Sequence, residues 1–395
     1  MYDKFGIFRS GEWVKGGEKT EVFSPVSGES LGTIAAANHD DTSATIDAAY
    51  NALDALREMG GFARADALHR IANEMIARAD EAARMISIET GKPLSQSERE
   101  WNLSVDQYRW YAEEARRIYG RIVESRVPGG RFEVTKEAVG VVGAFTAWNF
   151  PASLPARKIA PALAAGCPVV LRPSSQTPGV AMVIFDCMRA ANLPVGAVNL
   201  VVGSTANTYA PIMADPRVRK VSLTGSTRIG QQMIRDAADT LKKVSMELGG
   251  NAPCIIYDDA DLGAALDVCI PSKFGNAGQV CVTPDRFFVH NNVHDMFVTE
   301  FTKRAATLIL GDGLDPTTEM GPLINAHRLV EIDTIVKDSI AAGAKLETGG
   351  KRAAGFSTGH FYEPTVISNV TDEMRVFAEE NFGPIAPISR FSDED

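Results

Sequence analysis

Across residues 141–248 the chain alternates between short apolar runs and stretches of helical periodicity, and no other feature limits its fold so sharply. VVGAFTA gives way to PARKIAPALAAG, CPVVLR to a helix from Pro178, AVNLVVG to a short helix, and KVSLTG to a helix from Thr227, before the series ends at KVSMEL. Strands that are apolar on both faces and separated by helices demand parallel pairing, because a parallel neighbour is reached only through a crossover connection. Crossovers of one hand then cover both faces of the sheet. The expected fold class is α/β, a doubly wound sheet, with a second α/β unit from APCIIYDD onward and a boundary near residues 247–250. A chain of 395 residues is long enough to divide into two or more such cores.

Ahead of that region the sequence reads as helical. NHDDTSATIDAAYNAL offers capping residues and then Ile46, Ala49, Tyr50 and Leu53 at helical spacing, which places a helix from Asp40. Leu68, Ile71, Met75, Ala79, Ala82 and Ile86 share one face of a longer helix that ends near Thr90-Gly91-Lys92-Pro93, and a third covers residues 94–117. Between residues 123 and 143 the character changes. Pro128-Gly129-Gly130 separates strand-like runs, which predicts a protruding hairpin suited to an oligomer contact.

Composition narrows the function. Hydrophobic residues at 45% and charged residues at 23% belong to a soluble globular protein. A formal charge of −10 argues against nucleic acid or an anionic membrane as the main partner. The five cysteines show no CxxC and no metal-ligand spacing to the six histidines, so no metal is expected, and the pattern suits a reducing, cytoplasmic setting. The opening MYDKFGIFRSGEW lacks the apolar core of a secretory signal, and no window approaches a membrane-spanning run.

Several residues carry two readings at this point. Cysteine is among the most buried residue types, so Cys281 in NAGQVC is on its own a small core hydrophobe, or else a nucleophile. Asn149 suits the turn before Phe150-Pro151 as well as it suits an amide donor. Glu247 before Gly249-Gly250 is either a solvated strand end or a general base. GSTRIG, following a strand, is a capped helix start or a phosphate cradle, although it is not the GxGxxG fingerprint. Arg172 is a surface charge or an anion donor, and Phe382 a core residue or a ring at a site.

TAWNFP (residues 146–151), MELGGNAP (residues 246–253) and NAGQVC (residues 276–281), with GSTRIG and ENFGP at compatible intervals, resemble the aldehyde dehydrogenase superfamily, and the resemblance runs in order over residues 13–391. It implies a Rossmann-type cofactor domain over 1–122 and 142–246, an oligomerisation hairpin at 123–141, and an α/β catalytic domain over 247–395. The family's later asparagine-rich and PFGGxKxSG segments are not in this sequence, so the catalytic domain is expected in part. A homodimer or homotetramer is implied, with a small-molecule aldehyde as the partner.

By that resemblance Cys281 is the nucleophile, because a thiolate adds to an aldehyde carbonyl without needing a leaving group. The Asn149 amide and the Cys281 N–H match the oxyanion donors, and Glu247 matches the base that hydrolyses the thioester. The cofactor is NAD or NADP, with Thr146, Trp148, Gly225 and Ser226 on its binding side, Arg172, Ser174 and Ser175 near the adenosine ribose, and Glu380 and Phe382 near the nicotinamide. The family's usual lysine is Arg172 here, and the acidic residue of many NAD-preferring members is Ser175. A carboxylate would repel a 2′-phosphate, whereas Arg and Ser can donate to one, so NADP is expected to be accepted. Phe150 and Arg157 face the substrate by the same match, and arginine there resembles the succinate-semialdehyde dehydrogenase branch. That branch's second arginine is Gly275, and the second cysteine of some members is Thr283. The alternatives are a broad-specificity enzyme, a coenzyme A-acylating one, which the presence of Glu247 disfavours, and a catalytically silent binding protein.

Overall fold

Seven strands form one sheet in the order Lys243–Glu247, Val218–Thr224, Val141–Phe145, Val169–Arg172, Val198–Leu200, Ile7–Arg9 and Glu12–Val14. The first five are parallel, as their helical connections require. Ile7–Arg9 and Glu12–Val14 extend the sheet as an antiparallel edge that the sequence pattern did not announce. From the central strand Val141–Phe145 the chain builds outward through Val169–Arg172 and Val198–Leu200. It then returns to lay Val218–Thr224 on the other side. The strand order therefore reverses between Val141–Phe145 and Val218–Thr224.

In this computed structural model, residues 2 and 4–393 are described. Met1–Val22, Leu31–Ala83 and Glu98–Leu248 group into one compact unit, and Phe23–Ser30, Arg84–Ser97 and Gly249–Asp395 into another. The first unit's opening helix, His39–Asn51, starts at a capping box. The Asn38 side chain accepts from the Asp41 N–H at 2.8 Å, and the Asp41 carboxylate accepts from the Asn38 N–H at 3.2 Å.

The single long helix expected through residue 86 is two helices, Gly60–Ala77 and Ala79–Thr90. Arg78 leaves the helical region at φ −112°, and its guanidinium holds Glu81 at 2.9 Å and Asp186 at 3.4 Å. No Gly or Pro stands at this break. The third helix spans Leu94–Ala115. The hairpin pairs Arg121–Glu124 with Arg131–Val134, so it begins and ends earlier than expected, and Val141–Phe145 joins the sheet as its apolar run predicts. Ile122, Val127 and Phe132 are exposed on it.

The second unit has a five-stranded sheet in the order Ala252–Ile256, Pro284–His290, Ile385–Phe391, Thr365–Ser368 and Lys345–Thr348. Only its last pair is antiparallel. Phe287 on the sheet packs edge-on against Phe301 of the helix Asn291–Ala306, with ring centroids 5.3 Å apart. Phe287, Phe297 and Phe301 are fully buried, each stabilising the core by roughly 1.5–3 kcal/mol. Among the described residues no helix is long and apolar enough to cross a membrane.

Candidate active site

Strand register determines what the first unit can present. Phe145 lies beside Leu223 on one side and Arg172 on the other, and Thr224 lies beside Glu247. The segments that follow these residues therefore emerge along one carboxyl-end edge of the sheet, at the point where strand order reverses. Open α/β sheets bind their ligands at that point. Thr146 donates its N–H to the Arg172 carbonyl at 3.3 Å, and its buried Oγ1 has no hydrogen-bond partner among the described residues. The Trp148 carbonyl accepts from Thr177 Oγ1 at 3.5 Å. Gly225 donates to the Glu247 carbonyl at 3.0 Å, which joins the GSTRIG turn to the strand carrying Glu247. Ser226 caps the helix Thr227–Ala238 in extended conformation without a side-chain bond to it, so the first N–H groups stay available to an anion. An orphaned buried hydroxyl on one of these segments and free N–H groups at a helix start on another suit a dinucleotide with its pyrophosphate.

Asn149 is buried, 4% exposed, and Phe150 is half-buried. The turn that holds them is fixed by Glu100, a buried carboxylate whose Oε1 accepts from the Ala152 and Ser153 N–H groups at 2.8 and 3.2 Å. A negative charge there also suits the start of the helix Ser153–Ala164. On that helix Arg157 is exposed while its neighbour Lys158 is buried. Lys158 Nζ donates to Ser222 Oγ at 3.0 Å. Burial pushes the Lys158 ammonium down to about 8. Glu247 opposes this by favouring the charged form, and Lys220 and Arg157 add to it. Glu247 itself stands exposed at its strand end.

Arg172 is half-buried and bonded, with Nε donating to Thr208 Oγ1 and Nη2 to the Gly203 carbonyl, both at 3.3 Å. Burial lowers its pKa. Ser174 Oγ accepts the Gln176 N–H at 3.2 Å, and Ser175 is half-buried next to it.

In the second unit the helix Leu262–Phe274 stops at Gly275 and the chain turns through three successive left-handed residues, Asn276, Ala277 and Gly278, at φ 49°, 53° and 70°. Such a run persists only where its surroundings over-determine it. Gln279 is buried, donating to the Asn276 carbonyl at 2.9 Å and accepting from the Ile324 N–H at 2.9 Å. Gln96 Oε1 accepts the Asn276 N–H at 2.9 Å, and Thr283 Oγ1 donates to the Ser272 carbonyl at 2.7 Å. Cys281 lies between these anchors as an exposed, unbridged thiol.

The ENFGP segment packs onto this turn. A Cβ at Gly278 would lie 2.0 Å from the Gly383 carbonyl oxygen. Asp285, buried with Lys273, accepts the Asn381 N–H, and Arg328 donates to the Asn381 and Phe382 carbonyls at 2.6 and 2.9 Å. Phe382 is thereby held at φ 47°. Glu380 Oε1 accepts the Gly250 N–H at 3.4 Å, and a Cβ at Gly249 would meet its other carboxylate oxygen at 2.2 Å, so the paired glycines of MELGGNAP leave room for this carboxylate. Burial raises the Glu380 pKa. The structure thus groups Thr146, Trp148, Asn149, Arg172, Ser174, Ser175, Gly225, Ser226 and Glu247 in one unit, and Cys281, Glu380 and Phe382 in the other. Sequence reasoning missed Glu100, Lys158, Arg328 and the Lys273–Asp285 pair. A charged residue within an apolar helical stretch was the available signal for Lys158 and Lys273.

The model of the aldehyde dehydrogenase family matches residues 13–395. A probable succinate-semialdehyde dehydrogenase (NADP+) of Sinorhizobium fredii is 43% identical over 379 residues, 96% of this chain and 77% of that protein. A glutarate-semialdehyde dehydrogenase of Pseudomonas putida is 40% identical over 387 residues, 98% of this chain and 80% of that protein. A solved structure described as an E. coli NADP-dependent enzyme superposes with a TM-score of 0.96 at 40% identity, covering 99% of this chain and 82% of that one. The chain belongs to the aldehyde dehydrogenase family and has its fold.

Proposed function

We propose that this protein oxidises a short carboxylate-bearing aldehyde, succinate semialdehyde or its one-carbon homologue, to the dicarboxylate with NADP+ as an accepted cofactor. The single observation behind the chemistry is the thiol of Cys281, exposed beside a left-handed turn that buried hydrogen bonds hold rigid. Semialdehyde relatives at 40–43% identity support the substrate class.

In this reading Cys281 Sγ adds to the aldehyde carbon and the carbonyl electron pair moves onto oxygen. The Asn149 amide and the Cys281 N–H hold that oxyanion. The nicotinamide cofactor, when bound, supplies the acceptor for the hydride. Loss of hydride from the carbon leaves a thioester on Cys281. Glu247 then removes a proton from water, the water adds to the thioester, and the thiolate departs. Thr146, Gly225 and Ser226 would hold the pyrophosphate side of the cofactor, and Glu380 the nicotinamide ribose. Arg157 takes the substrate carboxylate. Exposed Ile122, Val127 and Phe132 support a role for the hairpin in a homo-oligomer, and five unbridged thiols support a cytosolic setting.

The test is the initial rate of NADPH formation from succinate semialdehyde, beside hexanal at equal concentration and NAD+ as comparison, for the wild type, Cys281→Ala and Arg157→Ala. Preference for the semialdehyde, loss of turnover in Cys281→Ala, and a raised KM in Arg157→Ala support the reading. Preference for hexanal removes the carboxylate role of Arg157, and turnover by Cys281→Ala removes the nucleophile.

A further inference from the structure

A second pair of thiols lies away from Cys281. Cys254 is on the strand Ala252–Ile256 and Cys269 on the helix Leu262–Phe274, and their sulfurs are 3.6 Å apart. Two sulfurs at that distance are in van der Waals contact. A disulfide needs them at about 2.05 Å, so they must close by roughly 1.5 Å. We propose that Cys254 and Cys269 are a reversible disulfide site, a dithiol that takes up one two-electron equivalent from a peroxide.

The two thiols are not equivalent. Cys254 is half-buried on an edge strand of its sheet, where a small oxidant can reach it, and Cys269 is buried, 4% exposed. Hydrogen bonding with Cys269 holds the Cys254 thiol below its ordinary value, although burial opposes this. The same contact, with burial, pushes the Cys269 thiol far up. Cys254, the more exposed of the two, meets the oxidant first and attacks as its thiolate, the reactive form. Its sulfur displaces hydroxide from hydrogen peroxide as the O–O bond breaks, giving a sulfenic acid, and the hydroxide leaves as water with the proton lost from the Cys254 thiol. Cys269 sulfur then attacks the sulfenic sulfur. The S–S bond forms, the S–O bond breaks, and the oxygen leaves as water with the Cys269 proton. One peroxide and two thiols give one disulfide and two waters, and an external dithiol reverses the reaction.

The bond would bear on the ENFGP segment. Cys269 lies one helical turn before Lys273, whose ammonium bonds the Asp285 that also holds Asn381. The strand carrying Cys254 begins just after Gly250, which donates to Glu380. A covalent tie between this helix and this strand thus acts on the supports of ENFGP from both directions.

The test uses the full chain with Cys281→Ser, so that the exposed thiol does not compete. Folded protein is treated with one equivalent of hydrogen peroxide, alkylated before unfolding, and digested without reductant. Mass spectrometry is expected to find one crosslinked peptide pair joining Cys254 to Cys269, restored to two alkylated peptides by dithiothreitol and absent from the further variant Cys254→Ser. The same treatment in urea should give mixed pairings. Both cysteines alkylated singly, an overoxidised Cys254 without a crosslink, or only intermolecular disulfides would overturn the proposal. Because the mapping is read on the chain that keeps both thiols, it stands even where Cys254→Ser folds poorly.

Discussion

Asp285 holds the Lys273 ammonium at 2.6 Å on one carboxylate oxygen and offers the other to the Asn381 N–H at 3.0 Å. Both side chains are almost fully buried. Removing one charge leaves the other uncompensated in a low-dielectric interior, so Asp285→Ala or Lys273→Met is expected to lose about 3–5 kcal/mol of unfolding free energy. The double variant Lys273→Met/Asp285→Leu should recover most of that loss. Urea unfolding of the three proteins decides the matter, and single variants within about 0.5 kcal/mol of wild type would show that the pair bears no load.

Lys158 makes stability depend on pH in a direction that follows from burial. The folded protein gives up this proton near 8 and the unfolded chain near 10.5. Between those values the unfolded state binds more protons, so stability rises with pH across that window and carries the full penalty of the buried charge below it. The rise is on the order of 3 kcal/mol. Lys158→Met should be more stable than wild type at neutral pH and should lack this rise. Parallel urea midpoints for the two proteins from pH 8 to pH 10.5 would remove the assignment.

The parallel sheet was readable because each strand is a continuous apolar run between helices, and the family because TAWNFP, MELGGNAP and NAGQVC occur in order along the chain. What could not be read is long-range pairing. The break at Arg78 carries no local helix-stop signal, and the Asp186 that pairs with Arg78 lies more than a hundred residues away. Lys158 looks like a solvated charge until the strand bearing Ser222 is placed beside it. Asn276 and Ala277 are left-handed because the residues around them are tied to Gln96, Gln279 and Ile324, a condition invisible in the order NAGQVC.

Two glycines of the loop that leads to Cys281 should behave in opposite ways. Gly278 has φ 70°, and an added Cβ would fall 2.0 Å from the Gly383 carbonyl oxygen. Gly275 has φ −55° and open space where its Cβ would go. Gly278→Ala combines a left-handed backbone with a backbone clash and is expected to destabilise by about 2–5 kcal/mol. Gly275→Ala should stay within about 0.5 kcal/mol of wild type. Thermal unfolding of both variants gives the comparison, and a harmless Gly278→Ala would mean that the ENFGP segment does not press on this turn.

Ser175 is the residue through which cofactor choice is best tested. Arg172 is anchored by Thr208 and the Gly203 carbonyl, so it is a fixed cation and not a loose surface charge, and Ser175 is half-buried a short step along the same loop. In Ser175→Glu a carboxylate would oppose a 2′-phosphate and accept from a 2′-hydroxyl instead. NADPH binding should weaken roughly tenfold to a hundredfold while NADH binding holds or improves, a change of about 1.4–2.8 kcal/mol for the phosphorylated cofactor alone. Nicotinamide fluorescence titrations with each reduced cofactor read this directly. Equal loss for both would make Ser175 a structural residue of the loop, and no change for either would place the adenosine end of the cofactor away from this strand.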